Sequence, residues 1–148
     1  MKTIAVGIDF TDVKDKVIEA AVSLARAFEG TLHLVHVCAP EPALVGYSGY
    51  TYPGIDEREH ELQVEKEELR KIVDGLKAEG LAVHGYMKSD ETEKGLIEFA
   101  EHRNAEVLVI GTHSRNLLSR VLLGSVAEGV VRKCPIPVLV VPNSEKPA

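Results

Sequence analysis

The sequence lacks several features that would place a protein in a functional class at once. Its 148 residues include no tryptophan, only two cysteines, and fewer basic than acidic side chains, 17 against 23. The net charge of −6 excludes a general nucleic-acid binder, because no excess of cations is available to offset backbone phosphates. No apolar run approaches the roughly 18 residues of a membrane-spanning helix, so we expect neither membrane insertion nor a signal peptide.

Cysteine and histidine are too sparse to predict a disulfide framework or a metal site. Cys38 and Cys134 are the two cysteines, which leads us to expect a cytoplasmic protein whose free thiols lie beside strands. His33 and His36 are three residues apart on a predicted strand and therefore face opposite sides. His36 and Cys38 share a side, but no second pair completes a tetrahedral set, so we predict structural histidines and no metal ligands.

Catalytic signatures are absent as well. The sequence contains no P-loop motif, no dinucleotide-binding glycine motif and no nucleophile elbow, so we predict no catalytic residues. A receiver-type signalling domain would also have acidic residues after its first strand. It would need a lysine at the end of its last strand, where this chain has Val141 and Pro142, and we exclude it.

The chain does contain a regular alternation of five apolar runs and four helical patterns. The runs predict strands at residues 4–8, 32–37, 81–87, 107–110 and 136–141. The spacing of apolar side chains predicts helices at about 13–28, 56–79 and 125–133, with another through Leu96, Ile97 and Ala100. Gly30 and Gly80 are expected to end the first two helices, and Asp90 with Glu93 to cap the third.

These elements predict a single α/β domain over residues 1–148, with a core at 2–142 and a tail at 143–148. Near-continuous apolar strands that alternate with helices are typical of a five-stranded parallel sheet with helices on both faces, a Rossmann-like arrangement. In the strand order 3-2-1-4-5 the winding direction reverses between the first and fourth strands, and ligands bind there at the carboxyl ends. The loops at that point begin at Asp9 and Gly111, so we predict a ligand crevice between them.

The segment from Gly111 to Ser125 is the most distinctive part of the sequence. Its loop is far longer than the about 2–6 residues that usually join a strand to a helix. Gly111 leaves room for a ligand near the backbone, and Ser125 places a hydroxyl at a helix N-terminus, where anions are favoured. Arg115 and Arg120 offer planar donors to phosphate. An ordinary connection, with Ser125 and Glu128 as a capping box and both arginines in solvent, stays open.

Five segments of the chain match one family pattern. They are Val-Gly-Ile-Asp-Phe-Thr-Asp at 6–12, Leu-Val-His-Val at 34–37, Val-Ile-Gly-Thr-His at 109–113, Leu-Leu-Gly-Ser-Val at 122–126 and Pro-Val-Leu-Val-Val at 137–141. Together they resemble the nucleotide-binding universal stress proteins, whose loop signature is G-x2-G-x9-G-(S/T). The resemblance implies a dimeric stress-response sensor or regulator that binds ATP or a related adenine nucleotide.

Where positions match, the resemblance also implies residue roles. Asp9 lies beside the adenosine, the backbone of Val37 reads the adenine edge, and the loop holds the phosphates. With Arg115 added on chemical grounds, the predicted nucleotide-binding residues are Asp9, Val37, Gly111, Thr112, His113, Ser114, Arg115, Gly124, Ser125 and Val126. Asp9 and Asp12 are candidate ligands for Mg²⁺, and the other interpretation of Asp12 or Thr11 is a helix cap.

Ser114 departs from the family pattern, which has its second glycine there. A serine is strained if the position requires a positive φ, whereas it can donate to a phosphate if the glycine only allows close approach. Two other functions stay open: a dimeric stress scaffold that binds no nucleotide, which Ser114 would favour, and a slow ATPase in which Asp9 or Mg²⁺ orients water.

The last predicted strand is an unprotected sheet edge. It is apolar and contains no lysine or glutamate, and such edges invite pairing with another chain. We predict a homodimer through this strand, an arrangement that the resemblance also implies, with contacts from Ile136, Val138, Leu139, Val140 and Val141. The sequence identifies no regulatory protein partner.

Overall fold

Nine elements follow one another in strict alternation along the part of the chain that the structure describes. The computed structural model describes residues 2–11, 13–40, 55–112 and 123–143, the side chains of residues 55 and 56 excepted. The strands are β1 (Thr3–Gly7), β2 (Thr31–Cys38), β3 (Val83–Ser89), β4 (Val107–Gly111) and β5 (Val138–Val141), and the helices are α1 (Lys14–Phe28), α2 (Ile55–Ala78), α3 (Thr92–His102) and α4 (Ser125–Lys133). The predicted order of elements is confirmed.

All five strands are parallel and lie in the order β3-β2-β1-β4-β5. In the central strand, Val6 is in register with Leu34 on one side and Val109 on the other. Helices cover both faces, so the predicted Rossmann-like α/β fold is confirmed. The winding direction reverses between β1 and β4, as the sequence predicts.

The alternation of side chains along each strand divides the core into two layers. Ile4 and Val6 of β1 pack with α1 and α2, whereas Ala5 packs with α3 and α4. Each helix contributes a narrow apolar stripe, for example Val17 and Ala21 of α1, which are 2% and 0% exposed. Parallel strands that are buried on both faces explain the continuous apolar runs in the sequence.

Of the two glycine stops expected after α1 and α2, one differs from the structure and one is confirmed. The left-handed residue after α1 is Glu29, with φ 53°, and not the expected Gly30, whose N–H donates to the Ala25 carbonyl at 2.9 Å. The local 6→1 hydrogen bond thus compensates for a non-glycine residue in this conformation. Gly80 after α2 has φ 88°, which confirms the predicted stop.

The capping pair expected at α3 is wrong. Glu91 is the N-cap of this helix, and Asp90 Oδ1 instead accepts the Glu91 N–H at 2.8 Å. Glu93 accepts from Lys133 Nζ of α4 at 2.8 Å, so its carboxylate links two neighbouring helices. The tertiary ion pair replaces the local capping bond that the spacing suggested.

Two strands begin later than their apolar runs suggest. β3 starts at Val83 and β5 at Val138, so Ile136 lies before the last strand although its side chain packs against the core.

Among the described residues, no helix combines the length and the apolar character that crossing a membrane requires.

Candidate functional site

A cavity of about 370 Å³ opens at the carboxyl ends of β1 and β4, where the winding of the sheet reverses. Its lining combines apolar, polar and glycine residues from five elements and from the loop after β1. These residues are Gly7, Ile8, Asp9, Thr11, His36, Val37, Thr92, Leu96, Ile110, Gly111 and Val126. The crevice predicted from topology therefore exists, and four predicted residues line it: Asp9, Val37, Gly111 and Val126.

Asp9 occupies the tight turn that follows β1. Its Oδ1 atom accepts the Thr11 N–H at 3.2 Å and also accepts the Thr11 hydroxyl. The Thr11 carbonyl in turn accepts the Lys14 N–H at 3.1 Å, where α1 begins. This chain of local bonds fixes the carboxylate at the rim of the cavity, as an Asx turn does. Thr11 therefore orients Asp9 with its hydroxyl, and the N-cap of α1 is Val13.

Val37 presents its backbone to the cavity. The Val35 carbonyl accepts the Ile8 N–H at 2.8 Å, so the backbone groups of Val35 face β1. Those of Val37, two residues later on the same strand, face the same side, but the pairing of β1 with β2 ends at Gly7. The N–H and carbonyl of Val37 therefore point into the space beyond β1, where they are available to the edge of a flat polar ligand.

Two glycines hold α3 close to the sheet on this side of the cavity. A Cβ atom on Gly95 would lie 2.8 Å from Val37 Cγ1, and one on Gly7 would lie 2.8 Å from Leu96 Cδ2. Both distances are shorter than real contacts, so larger side chains would push the helix outward. The small residues thereby place Thr92, in the first turn of α3, and Leu96 at the cavity wall.

Gly111 is required by packing. A Cβ atom on this residue would lie 2.6 Å from Val13 Cγ1 and 3.0 Å from Val17 Cγ2. The space beside Gly111 is thus filled by α1, which approaches the end of β4 more closely than any side chain would allow. Gly111 lines the cavity through its backbone, and its lack of a side chain serves the contact between helix and strand.

The N-terminus of α4 meets the cavity at Val126. Gly124 is the N-cap, with φ −60° and ψ 158°, and Ser125 is the exposed first residue of the helix. Ser125 is therefore not the N-cap of a capping box, and Glu128 instead pairs with Arg132 at 2.9 Å. No described side chain caps the first N–H groups of α4. The positive end of the helix dipole is thus available to an anion.

Thr112 does not line the cavity. Its N–H donates to the Val141 carbonyl at 3.0 Å, and its hydroxyl accepts the Asn143 N–H at 3.1 Å. These bonds join the end of β4 to the end of β5 and to the segment after it. The predicted residues His113, Ser114 and Arg115 lie outside the described residues, as do Arg120 and the candidate magnesium ligand Asp12.

His36 lines the cavity and has a partner at each ring nitrogen. Nδ1 donates to the Ile8 carbonyl at 2.8 Å, and Nε2 lies 2.8 Å from Glu65 Oε2 on α2. Burial, and after it the Glu65 carboxylate, raises the pKa of the nearby Cys38 thiol, which the Arg58 guanidinium opposes. The end of β2 therefore holds a polar cluster next to the cavity.

Several lining residues had no distinguishing signal in the sequence. In the sequence, Thr92 has the pattern of an ordinary helix start, and Leu96 and Ile110 have the pattern of ordinary core positions. They line the cavity only because they lie beside the strand reversal. Gly7 of β1 and Gly95 of α3, which let the helix pack closely on the sheet, are the local signal that could have indicated this side of the cavity.

A larger groove of about 620 Å³ runs between α2 and β3. It is lined by Lys66, Arg70 and Lys77 on the helix and by Gly85 and Tyr86 on the edge strand, among others. Arg70 is paired there with Glu67 and with Asp74, the latter at 3.0 Å. The groove lies at the sheet edge and contains none of the predicted site residues, so the smaller cavity is the better candidate.

Comparison with known proteins gives a consistent family. The sequence profile of the Universal stress protein family matches residues 1–142. A universal stress protein of Methanocaldococcus jannaschii is 31% identical over 147 residues, which are 98% of this chain and 84% of that protein.

Solved structures show the same fold. The universal stress protein of Archaeoglobus fulgidus in complex with dAMP superposes with a TM-score of 0.69 at 23% identity, covering 95% of this chain and 98% of that one. A universal stress protein in complex with cAMP superposes with a TM-score of 0.67 at 24% identity, covering 97% and 98%. By its sequence profile, its curated relative and its fold, the chain belongs to the universal stress protein family.

Proposed function

We propose that this protein binds an adenine nucleotide in the cavity between β1 and β4 and acts as a dimeric stress-response sensor or regulator. The observation that carries the proposal is the convergence of Asp9, Val37, Gly111 and Val126 on one cavity at the strand reversal. These residues come from four separate parts of the chain, and the family resemblance assigned a nucleotide contact to each.

The cavity suits a nucleoside in size and chemistry. Its volume of about 370 Å³ lies in the range of small-molecule sites. Apolar side chains such as Val37, Leu96 and Val126 can cover the faces of adenine, and the backbone N–H and carbonyl of Val37, which point beyond β1, can pair with its polar edge. The Asp9 carboxylate, held at the rim by Thr11, can accept from ribose hydroxyls.

The phosphates fit at the N-terminus of α4. The helix dipole and the first N–H groups favour an anion there, and Ser125 adds a hydroxyl donor. The residues His113, Ser114 and Arg115 complete the loop in sequence and are proposed as phosphate contacts on the family pattern and their chemistry. ATP is the proposed ligand, with Mg²⁺ bound between its phosphates and Asp9.

Two related structures support an adenine ligand. One universal stress protein was solved with dAMP and another with cAMP. Both ligands share the adenine ring but carry one phosphate, so they support the nucleoside part of the proposal more directly than the triphosphate part. Titration with ATP, ADP and AMP distinguishes among the three nucleotides.

Dimerisation through β5 is the second part of the proposal. β5 is the last strand of the sheet, so one side of its backbone faces away from β4. Leu139 is 38% exposed, while Val138, Val140 and Val141 are partly buried. An apolar edge of this kind is covered by pairing with its two-fold mate. Ile136 lies just before the strand and would flank the contact.

Calorimetric titration with ATP, ADP and AMP, each with and without Mg²⁺, tests the nucleotide site. Val126→Glu should abolish binding because it places a carboxylate at the cavity wall near the phosphates. Val131→Glu is the matched control, since Val131 is 47% exposed on the same helix and lies outside the cavity. Ser125→Ala should weaken binding by about 1.5–3 kcal/mol, roughly 10- to 150-fold, if its hydroxyl donates to phosphate.

The titration also separates the competing functions. A wild-type protein that binds no adenine nucleotide would overturn the proposal and leave the scaffold function. Equal affinity in the wild type and in Val126→Glu would place binding elsewhere. Phosphate release that depends on Mg²⁺ would identify a slow ATPase, for which Asp9 is the residue best placed to orient water.

A further inference from the structure

The end of β2 and the middle of α2 bring three side chains of different ligand chemistry together. His36 and Cys38 lie on the same face of β2, and Glu65 of α2 packs over them. One imidazole nitrogen, the thiol sulfur and one carboxylate oxygen all lie within 4.8 Å of one another. The three side chains are only partly buried, so solvent can reach the cluster.

His36 is oriented so that Nε2 points at the centre of the cluster. The Ile8 carbonyl can only accept, so Nδ1 carries a hydrogen and donates to it at 2.8 Å. In the neutral ring Nε2 then has a lone pair, and it faces Glu65 Oε2 at 2.8 Å. Two electron pairs at this separation require a positive charge between them, supplied either by a proton or by a metal ion.

The surroundings match those of a metal-binding histidine. A second ring nitrogen that donates to a backbone carbonyl fixes the tautomer and the direction of the ligating nitrogen in known metal sites. The Phe10 ring lies 4.8 Å from the His36 ring, centroid to centroid, and limits its rotation. The His36 side chain is only 12% exposed, and that of Glu65 is 33% exposed, so the ligands are held while one side stays open.

We propose that His36, Cys38 and Glu65 bind one zinc ion through Nε2, Sγ and a carboxylate oxygen, with solvent as the fourth ligand. A mixed nitrogen, sulfur and oxygen set selects zinc over Mg²⁺ and Ca²⁺, which prefer oxygen ligands alone. On binding, the ion replaces the thiol proton, which passes to solvent. This site is distinct from the proposed Mg²⁺ position beside Asp9 and does not depend on nucleotide binding.

The cluster requires only small movements to accept the ion. With zinc-ligand distances near 2.0–2.3 Å and tetrahedral angles, ligating atoms lie roughly 3.3–3.7 Å apart. Nε2 and Oε2 therefore have to separate by about half an ångström, and the sulfur has to approach by up to about one. The partly exposed Glu65 side chain and a rotation of Cys38 can provide both.

The proposal differs from the expectation of a structural histidine because the third ligand comes from far along the chain. Glu65 lies 29 residues after His36 and on a different element. The competing account is a protonated His36 that donates to both partners, and it predicts no metal affinity. A metal titration therefore distinguishes the two accounts directly.

Cobalt(II) is the probe for the test, because a thiolate-bound cobalt ion gives a charge-transfer band that a water-bound ion lacks. We expect the metal-free wild-type chain to develop this band with one equivalent of cobalt and to lose it when zinc is added. Cys38→Ser should abolish the band, and His36→Gln and Glu65→Gln should each weaken binding at least tenfold.

The control variants are Cys134→Ser, His84→Gln and Glu68→Gln, which change the same residue types outside the cluster and should bind within twofold of the wild type. A wild-type chain that gives no band, or a band that survives Cys38→Ser and is lost in Cys134→Ser, would overturn the proposal. Circular dichroism of each metal-free variant checks its fold. The wild-type spectrum decides even if one variant fails to fold, and ATP affinity measured in parallel tests the nucleotide proposal separately.

Discussion

Gly111→Ala tests whether the end of β4 is shaped by packing against α1. The added Cβ atom would lie 2.6 Å from Val13 Cγ1, about 1 Å closer than an ordinary contact between carbon atoms. Val13 and Val17 are each 2% exposed, so neither can move without displacing the core around it. Gly111 has no positive φ, so the change adds no backbone strain and its cost is steric.

The magnitude follows from the cost of overpacking a buried contact, about 1–3 kcal/mol. Replacing glycine also reduces the conformational entropy of the unfolded chain, which offsets this cost by about 0.4–1 kcal/mol. We therefore expect Gly111→Ala to lower the free energy of unfolding by about 1–2 kcal/mol. For a chain of this length the midpoint of thermal unfolding should fall by roughly 2–8 °C.

Urea unfolding followed by circular dichroism measures this change. Gly75→Ala is the matched control, because Gly75 lies within α2 and a Cβ there meets nothing within 4 Å. Alanine at that position should raise the free energy of unfolding by about 0.5–1 kcal/mol through helix propensity. A Gly111→Ala variant as stable as the wild type but with weaker nucleotide binding would refute the packing argument and favour ligand approach instead.

Two further predictions concern pH and assembly. Burial, followed by the charges of His84 and Arg103, lowers the pKa of His33 in the folded protein. Because the unfolded chain then binds more protons than the folded chain at mildly acidic pH, the free energy of unfolding falls as the pH drops from about 7 to 5. His33→Gln should flatten that fall in urea unfolding, and the exposed-residue control His60→Gln should keep it; equal slopes in all three proteins would contradict the assignment. Val140→Lys should convert the dimer to a monomer in sedimentation, whereas the control Val131→Lys on α4 should leave the dimer intact. A monomeric wild type would contradict the proposed β5 interface.

The fold was accessible from the sequence because each element carries its own periodic pattern. Continuous apolar runs such as 107–110 indicate strands buried on both faces, and their alternation with helices leaves few topologies. Helix ends were less accessible. Asp90 and Glu93 have capping-box spacing, but Glu93 pairs with Lys133 on α4. Local rules do not include a tertiary partner of this kind.

The candidate site was accessible only in part. Asp9 and Gly111 were found because they are unusual residues at strand ends, and Val37 because of the family pattern. Leu96 and Thr92 were missed, since their place at the cavity depends on how closely α3 packs on Val37 and β1. Glu65 was missed for the same reason, because contact between α2 and the end of β2 leaves no trace in local spacing.

The central claim is that adenine nucleotide binds at the strand reversal, and amide chemical-shift mapping during an ATP titration tests it most directly. We predict that the largest shifts occur at the N–H groups of Ile8, Asp9, Val37 and Val126, which border the cavity from the ends of two strands and one helix N-terminus. Gly85 and Tyr86, which line the larger groove at β3, should stay unchanged and serve as the internal control. Shifts centred on that groove, or no saturable shifts at all, would contradict the account.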